Sequence, residues 1–323
     1  MIKTSAFEPA RLLGNRHLQT ILPNAGLRRT RRSCLNRETL ELPDGDFLHL
    51  DWLASGAKEH AAPLLLCLHG LEGSSQSNYA ADLVFQAQNA GWNALVMHFR
   101  GCSGTVNRLP RSYHAGETAD LLLVLEHIRK RHQGPLFVAG YSLGGNMLLK
   151  HLGEQGHGSP IDAAVAVSVP FDLHGAALSI DKGFGRLYQY ALMRKMKGRV
   201  RAKRSQLSGL IDVERALKTR NFTEFDEQVT APLHGFLGYE DYYNRCSSIH
   251  FMKRIATPTL VLHARDDPFL DSTYLPTEEH ISDLVTIEYS AKGGHVGFLG
   301  QKKPWQPALW LPRRIMEYFG EQV

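Results

Sequence analysis

Short apolar runs recur along the chain, and each is separated from the next by a longer stretch of mixed character. These runs are rich in Val, Leu and Ala and lack polar alternation, which predicts strands buried on both faces. They cover 64–68, 92–99, 135–141, 162–169, 259–264 and 285–289. A seventh pattern, at 38–52, predicts a hairpin that turns at Asp44-Gly45.

The stretches between the strands predict helices at about 77–90, 117–131 and 146–152. In the second of these, Leu121, Leu125 and Ile128 recur at helical spacing. Strands that alternate with helices imply a mostly parallel central sheet with helices on both faces. We therefore predict an α/β fold.

The alternation stops between about 172 and 254, where the sequence is largely helical in character. We predict one domain over 1–323, with 172–254 inserted as a helical cap. The chain has 323 residues, of which 43% are hydrophobic and 21% are charged, as is typical of a globular enzyme domain.

The strand at 135–141 runs into Gly140-Tyr141-Ser142-Leu143-Gly144, and helix-compatible sequence follows. Gly-x-Ser-x-Gly between a strand and a helix is typical of a nucleophile elbow, in which Ser142 occupies a strained turn. Side chains at Gly140 and Gly144 would clash in so tight a turn. The alternative is a glycine-rich turn without chemical consequence.

Two further strands end in residues that could complete a catalytic triad. The strand at 259–264 is followed by Asp266 and Asp267, and the strand at 285–289 by a glycine-rich loop with His295. Parallel strands present their carboxyl ends at one edge of a sheet, where such sites form. The order Ser, Asp, His matches the hydrolase pattern, with either aspartate as the acid.

The strand at 64–68 ends in His69-Gly70-Leu71, which resembles the His-Gly-x loop of α/β-hydrolases. That resemblance implies an oxyanion hole formed by the backbone N–H groups of Leu71 and Leu143. We expect His69 to brace the turn rather than to take part in the chemistry.

Composition excludes several classes of protein. No apolar run is long enough to span a membrane, and no apolar signal region opens the sequence. The four cysteines are scattered and the histidines show no metal-binding spacing, so we expect free thiols, a cytoplasmic location and no metal. Cys102 could be a reactive thiol, but a buried small side chain is the favoured interpretation.

Residues 182–204 carry nine basic side chains and no acid, against a net charge of +5 for the whole chain. The simplest interpretation is a solvated helix face. The alternative is weak contact with an anionic membrane surface, which would depend on Arg199, Arg201, Lys203 and Arg204. Nucleic-acid binding is not expected, because no recognition motif accompanies the charge.

Six segments together resemble the AB-hydrolase 4 family of the AB-hydrolase superfamily. They are 16–23 (RHLQTILP), 69–74 (HGLEGS), 98–104 (HFRGCSG), 140–146 (GYSLGGN), 264–269 (ARDDPF) and 293–298 (GGHVGF). The resemblance implies an α/β-hydrolase fold with Ser142 as the nucleophile and His295 as the base. It implies Asp267 as the acid, because in this fold the acid usually precedes a Pro or an apolar residue, and makes Asp266 the weaker choice.

The resemblance further implies a serine carboxylic ester hydrolase that acts on short- to medium-chain acyl esters without a cofactor. An acyltransferase, a lipase or a thioesterase of the same fold is the alternative. A binding protein without catalysis is disfavoured, because such proteins usually lose the nucleophile or the base and this chain keeps both.

Overall fold

The computed structural model describes residues 1–23, 32–53, 61–303 and 306–323, apart from the side chains of 301–303, 306 and 307. Its main sheet has nine strands in the order β1-β9-β8-β7-β6-β4-β5-β3-β2. Neighbouring strands from β1 to β5 in this order are parallel, and β3 and β2 complete the sheet in antiparallel pairing. A separate antiparallel pair, β10 and β11, follows. The strands are β1 Ile2–Thr4, β2 Leu35–Glu41, β3 Phe47–Leu53, β4 Leu64–Leu68, β5 Asn93–His98, β6 Leu136–Tyr141, β7 Ala163–Val167, β8 Thr259–Ala264, β9 Val285–Ser290, β10 Leu299–Lys303 and β11 Gln306–Leu309.

Helices cover both faces of the main sheet, as the alternating pattern predicts. Those outside 172–254 are α1 Arg16–Ile21, α2 Asn78–Asn89, α3 Thr118–Arg129, α4 Leu143–Gln155 and α12 Leu311–Gly320. Alternate residues of β4 belong to two separate apolar layers: Leu64, Leu66 and Leu68 pack with α3 and α4, while Leu65 and Cys67 pack with α2 and α12. The sheet is thus buried on both sides, which confirms the predicted fold class.

The interval 172–254 contains only helices among its regular elements. They are α5 Leu173–Ile180, α6 Gly185–Ala202, α7 Arg204–Leu207, α8 Val213–Lys218, α9 Phe222–Phe225, the π-helix Asp226–Thr230, α10 Ala231–His234 and α11 Tyr239–Cys246, followed by two 3₁₀ turns. Seven of its apolar residues form a small core that is separate from the two layers on the sheet. This core includes Met193, Val200 and Phe225.

One strand pairing could not be predicted from the periodicity of the sequence. Strand β1 is only three residues long, yet it adds to the edge of the sheet in parallel with β9. So short a strand has no readable alternation, and its place depends on a partner far along the chain.

Within the described residues, no helix is long and apolar enough to cross a bilayer.

Candidate active site

The sharp turn between β6 and α4 presents Ser142. Its backbone has φ 51° and ψ −118°, a region that an L-residue enters only under strain. The turn is possible because its neighbours lack side chains. A Cβ at Gly140 would come within 2.5 Å of the Gly144 carbonyl oxygen, and one at Gly144 within 2.5 Å of the His69 carbonyl oxygen. Ser142 caps the N-terminus of α4, where the helix dipole favours negative charge.

Three side chains from three strand ends meet in one hydrogen-bonded row. His295 lies with Nε2 3.0 Å from the Ser142 Oγ atom and with Nδ1 2.8 Å from Oδ2 of Asp267. The other oxygen of Asp267 accepts the backbone N–H of Phe269 at 2.8 Å. The Phe269 ring stacks on the imidazole with a centroid distance of 3.9 Å and an interplanar angle of 1°. Aspartate, stacking and serine together fix the orientation of the imidazole ring.

The neighbouring carboxylate has a different partner. Asp266 accepts the backbone N–H of Gly294 at 3.0 Å and does not reach the imidazole of His295. Burial raises the pKa of Asp266 above its usual range. Successive residues after a strand point in different directions, so Asp267 faces the histidine ring while Asp266 holds the loop that carries it.

Helix α1 supports the loop of His295 from below. Thr20 Oγ1 accepts the backbone N–H of His295 at 2.9 Å, and a Cβ at Gly297 would come within 2.1 Å of the Gln19 carbonyl oxygen. The buried side chain of Gln19 accepts the N–H of Leu299 at 2.7 Å and donates to the carbonyl of Leu13 at 2.7 Å. The early motif at 16–23 therefore acts structurally on a loop almost 280 residues away.

Two backbone N–H groups lie beside Ser142 without partners. Among the described residues, neither the N–H of Leu71 nor that of Leu143 makes a hydrogen bond, and both residues line the same cavity as Ser142. Gly70 allows the close approach of this loop, because a Cβ there would lie 3.3 Å from Cβ of Ser142. His69 braces the turn: Nδ1 donates to the Gly70 carbonyl at 2.8 Å, and burial lowers its pKa to about 3.

The cavity above Ser142 is largely apolar, and much of its lining comes from the helices between 172 and 254. Apolar side chains of this interval that line it include Leu173, Ile180, Leu192, Met196, Phe225 and Val229. An apolar wall suits a hydrocarbon chain better than a polar group.

A buried carboxyl from the helices between 172 and 254 also lines the cavity. Asp226 stands at the start of the π-helix and is only 8% exposed. Its oxygens accept hydrogen bonds from the Thr230 hydroxyl at 2.5 Å and from the Tyr243 hydroxyl at 2.8 Å. Burial raises the pKa of Asp226 to about 6.

Comparison with known proteins agrees with this geometry. A family model for the α/β hydrolase fold matches residues 63–300. The chain belongs to the α/β-hydrolase family. It is 42% identical to "Putative esterase YheT" of Escherichia coli over 318 residues, which make up 98% of this chain and 93% of that protein. It is 33% identical to the monoacylglycerol lipase of Saccharomyces cerevisiae over 250 residues, or 74% of this chain and 56% of that protein.

The fold of the hydrolase is also found among solved structures. The Pyrococcus furiosus esterase Pf2001 superposes with a TM-score of 0.55 at 14% identity, over 89% of this chain and 92% of that chain. The comparisons confirm the predicted α/β-hydrolase fold and the prediction of an ester hydrolase.

The basic residues of 182–204 do not all lie on one exposed face of the hydrolase. The structure corrects which of them could contact an anionic surface. Arg199 pairs with Glu72, while Lys203 is 3% exposed and donates to the carbonyl oxygens of Pro110 and Arg111, each at 2.9 Å. These two cations point into the protein, because each meets buried acceptors that the linear sequence does not reveal. They were expected in the set that would contact an anionic surface, and they do not belong to it.

Within the described parts of the hydrolase, one group of side chains has metal-like geometry. The ligand atoms of His114, Glu117 and His234 all lie within 4.8 Å of one another. Nδ1 of His114 accepts the N–H of Gly116 at 3.2 Å, so the proton of the neutral ring resides on Nε2, 3.5 Å from Glu117. Glu117 also pairs with Arg111. A cation would have to displace that proton and compete with the arginine, so the residues fit a hydrogen-bonded cluster better.

Proposed function

We propose that this protein hydrolyses short- to medium-chain carboxylic esters, with Ser142 as nucleophile, His295 as general base and Asp267 as the residue that orients the base. The observation that carries the proposal is the continuous hydrogen-bonded row from Asp267 Oδ2 through both imidazole nitrogens to Ser142 Oγ, with distances of 2.8 and 3.0 Å. A nucleophile, a base and an orienting group in this arrangement are the parts that acyl transfer requires.

In the first half-reaction, Ser142 Oγ attacks the ester carbonyl while Nε2 of His295 takes its proton. The carbonyl oxygen becomes an oxyanion, and the N–H groups of Leu71 and Leu143 donate to it. His295 then gives its proton to the departing alkoxide, which leaves as the alcohol. In the second half-reaction His295 activates a water, which releases the acid and restores Ser142.

The apolar cavity supports an acyl chain as the part of the substrate that is bound there. Each buried methylene contributes about 0.8 kcal/mol, so binding should improve as the chain lengthens until the cavity is filled. The yeast relative is named a monoacylglycerol lipase, which agrees with an acyl ester substrate. A small-molecule ester presented to this cavity needs neither a metal nor an organic cofactor in the mechanism above.

Two measurements test the proposal. A fluorophosphonate probe should label the protein covalently and should fail to label Ser142→Ala. A panel of p-nitrophenyl esters of graded acyl length should be hydrolysed by the parent protein, with KM falling as the chain lengthens, while Ser142→Ala loses activity by several orders of magnitude. Full activity in a folded, purified Ser142→Ala protein would overturn the assignment of the nucleophile.

We also propose that the outward face of α6 makes weak contact with anionic lipid surfaces. Arg194, Lys195 and Arg201 on α6 are exposed, as is Lys182 just before the helix, and no ion pair involves them among the residues that the structure describes. Exposed apolar side chains accompany them: Phe184 is 45% exposed, Leu187 59% and Tyr190 70%. Basic residues beside exposed apolar side chains favour a negatively charged membrane interface.

A further inference from the structure

The loop that supplies the Leu71 N–H continues directly into an unusual residue. Glu72 has φ 57°, in the left-handed region that a side chain normally avoids. Its carboxylate is also buried, with only 5% of the side chain exposed. A charged group in a strained backbone position is costly unless specific contacts hold it there.

Those contacts come from two places. The backbone N–H of Glu72 donates to the Tyr113 hydroxyl at 2.9 Å, and that hydroxyl donates in turn to Oε1 of Glu72 at 2.9 Å. The balancing charge comes from Arg199 on α6, whose Nε lies 2.7 Å from Oε1 and 2.8 Å from Oε2. Tyr113 thus fixes the backbone of Glu72, and Arg199 neutralises its side chain.

Arg199 is itself anchored from several sides. Its guanidinium donates to the carbonyl oxygen of Gly101, lies 3.1 Å from Sγ of Cys102, and has its Cζ 5.9 Å from the centroid of the Tyr113 ring. The planar fork of an arginine allows these contacts at the same time, which a lysine cannot reproduce. Helix α6 is therefore joined to the oxyanion loop through one buried ion pair.

We propose that Arg199, Glu72 and Tyr113 form a positioning device that holds the Leu71 N–H in place for the oxyanion. The proposal builds on the proposed ester hydrolysis. If Arg199 is withdrawn, Glu72 is left as an unpaired buried charge and the loop must shift to reach water. The Leu71 N–H moves with the loop, because Leu71 directly precedes Glu72 in the backbone. The packing of α6 against the loop at Glu72 and the assembly of the oxyanion hole are thereby coupled.

The test compares Arg199→Met with a matched control, Arg314→Met. The pair Arg314–Glu288 joins α12 to β9, with side-chain exposures of 20% and 12%, close to the 23% and 5% of Arg199 and Glu72. Hydrolysis of a short ester such as p-nitrophenyl acetate gives kcat and KM, and urea unfolding gives stability. We expect Arg199→Met to lower kcat about 10- to 100-fold, while KM changes less than about threefold, because a displaced donor affects the transition state more than the bound ester. Arg314→Met should lose comparable stability and keep kcat within about twofold.

Two further variants separate positioning from general damage. Arg199→Lys should recover part of the lost kcat, because it restores the charge but not the fork. In the double variant Arg199→Met with Glu72→Gln, the second change should cause no further loss of kcat and should recover part of it, since it removes the charge that Arg199→Met leaves unpaired. Additive losses, an unchanged kcat in Arg199→Met, or an equal kcat loss in Arg314→Met would overturn the proposal. Failure of the proposed function would be recognised separately, by a parent protein that hydrolyses no ester.

Discussion

The edge of the sheet and the helices between 172 and 254 both border the cavity, but they are organised in different ways. At the sheet edge, Ser142, Asp267 and His295 each lie in the turn or loop after a strand, and the parallel arrangement brings them together. In the helical interval, the decisive contacts join residues far apart in sequence, such as Arg199 with Glu72. Local turns therefore position the proposed reacting groups, while long-range pairs position what surrounds them.

This difference explains which parts of the fold and of the candidate site could be predicted from the sequence. Six apolar runs predicted six strands, and the strands at 64–68 and 259–264 have the predicted bounds. The three residues proposed as the triad could be singled out from the sequence because each lies in a recognisable turn or loop motif after a predicted strand. The choice between Asp266 and Asp267 came from family resemblance alone, since neighbouring carboxylates after a strand look alike in the sequence.

The interval 172–254 could be predicted only in outline. Its helical character was evident, but the inward direction of Arg199 and Lys203 was not. A run of basic residues on a helix gives no sign of which members meet buried carbonyls or a buried glutamate. Glu72 offered one signal, a charged residue within an otherwise apolar and glycine-rich loop, but its partner lies 127 positions away.

The largest effect in this comparison is expected at the sheet edge. Asp267→Asn should lower kcat by about 10³- to 10⁴-fold, because the histidine loses the carboxylate that fixes its tautomer and stabilises its charged form. Asp266→Asn is the matched control, since asparagine still accepts the Gly294 N–H, and it should cost less than about tenfold. Steady-state kinetics on one ester checks both variants. The opposite ranking would show that Asp266 serves the histidine.

A smaller effect is expected where the sheet edge relies on a distant element. Thr20→Val keeps the shape of the side chain but removes the acceptor for the His295 N–H, leaving that donor without its partner. We expect kcat to fall about tenfold, with the fold retained, because the histidine loop loses one of its anchors. Thr20→Ser retains the hydroxyl and should keep kcat within about twofold of the parent. Equal activity of the valine and serine variants would remove α1 from the support of the site.

The helical interval should respond to pH through Asp226. Its pKa is about 6 in the folded protein against an ordinary value of 3.8, so the folded state holds this proton more tightly than the unfolded state. The resulting stabilisation is complete below the ordinary value and is lost as the pH rises through about 6. The free energy of unfolding, measured with urea between about pH 4 and about pH 7.5, should therefore depend less on pH in Asp226→Asn than in the parent protein. An unchanged slope would mean that Asp226 does not titrate in this range.

The smallest effect concerns the outward face of α6, where exposed charges act singly. Each basic residue near an anionic membrane contributes about 1 kcal/mol at most. Arg194→Gln, Lys195→Gln and Arg201→Gln together should weaken co-sedimentation with vesicles of phosphatidylcholine and phosphatidylglycerol at low salt. Binding by the parent should fade towards about 1 M salt, where the Debye length is about 3 Å.

The matched control removes the same number of charges from other exposed positions, with Lys3→Gln, Lys130→Gln and Lys253→Gln. If total charge alone governs vesicle binding, both triple variants will lose it equally, and the face of α6 has no special role. If the α6 variant loses binding while the control keeps it, the charge acts through its location. Hydrolysis of a short ester should stay within about twofold in both variants, because none of the six side chains lines the cavity. The two faces of α6 would then have separate roles: Arg199, with Lys203 just after the helix, secures α6 to the loops above the sheet, and the outward residues meet the lipid surface.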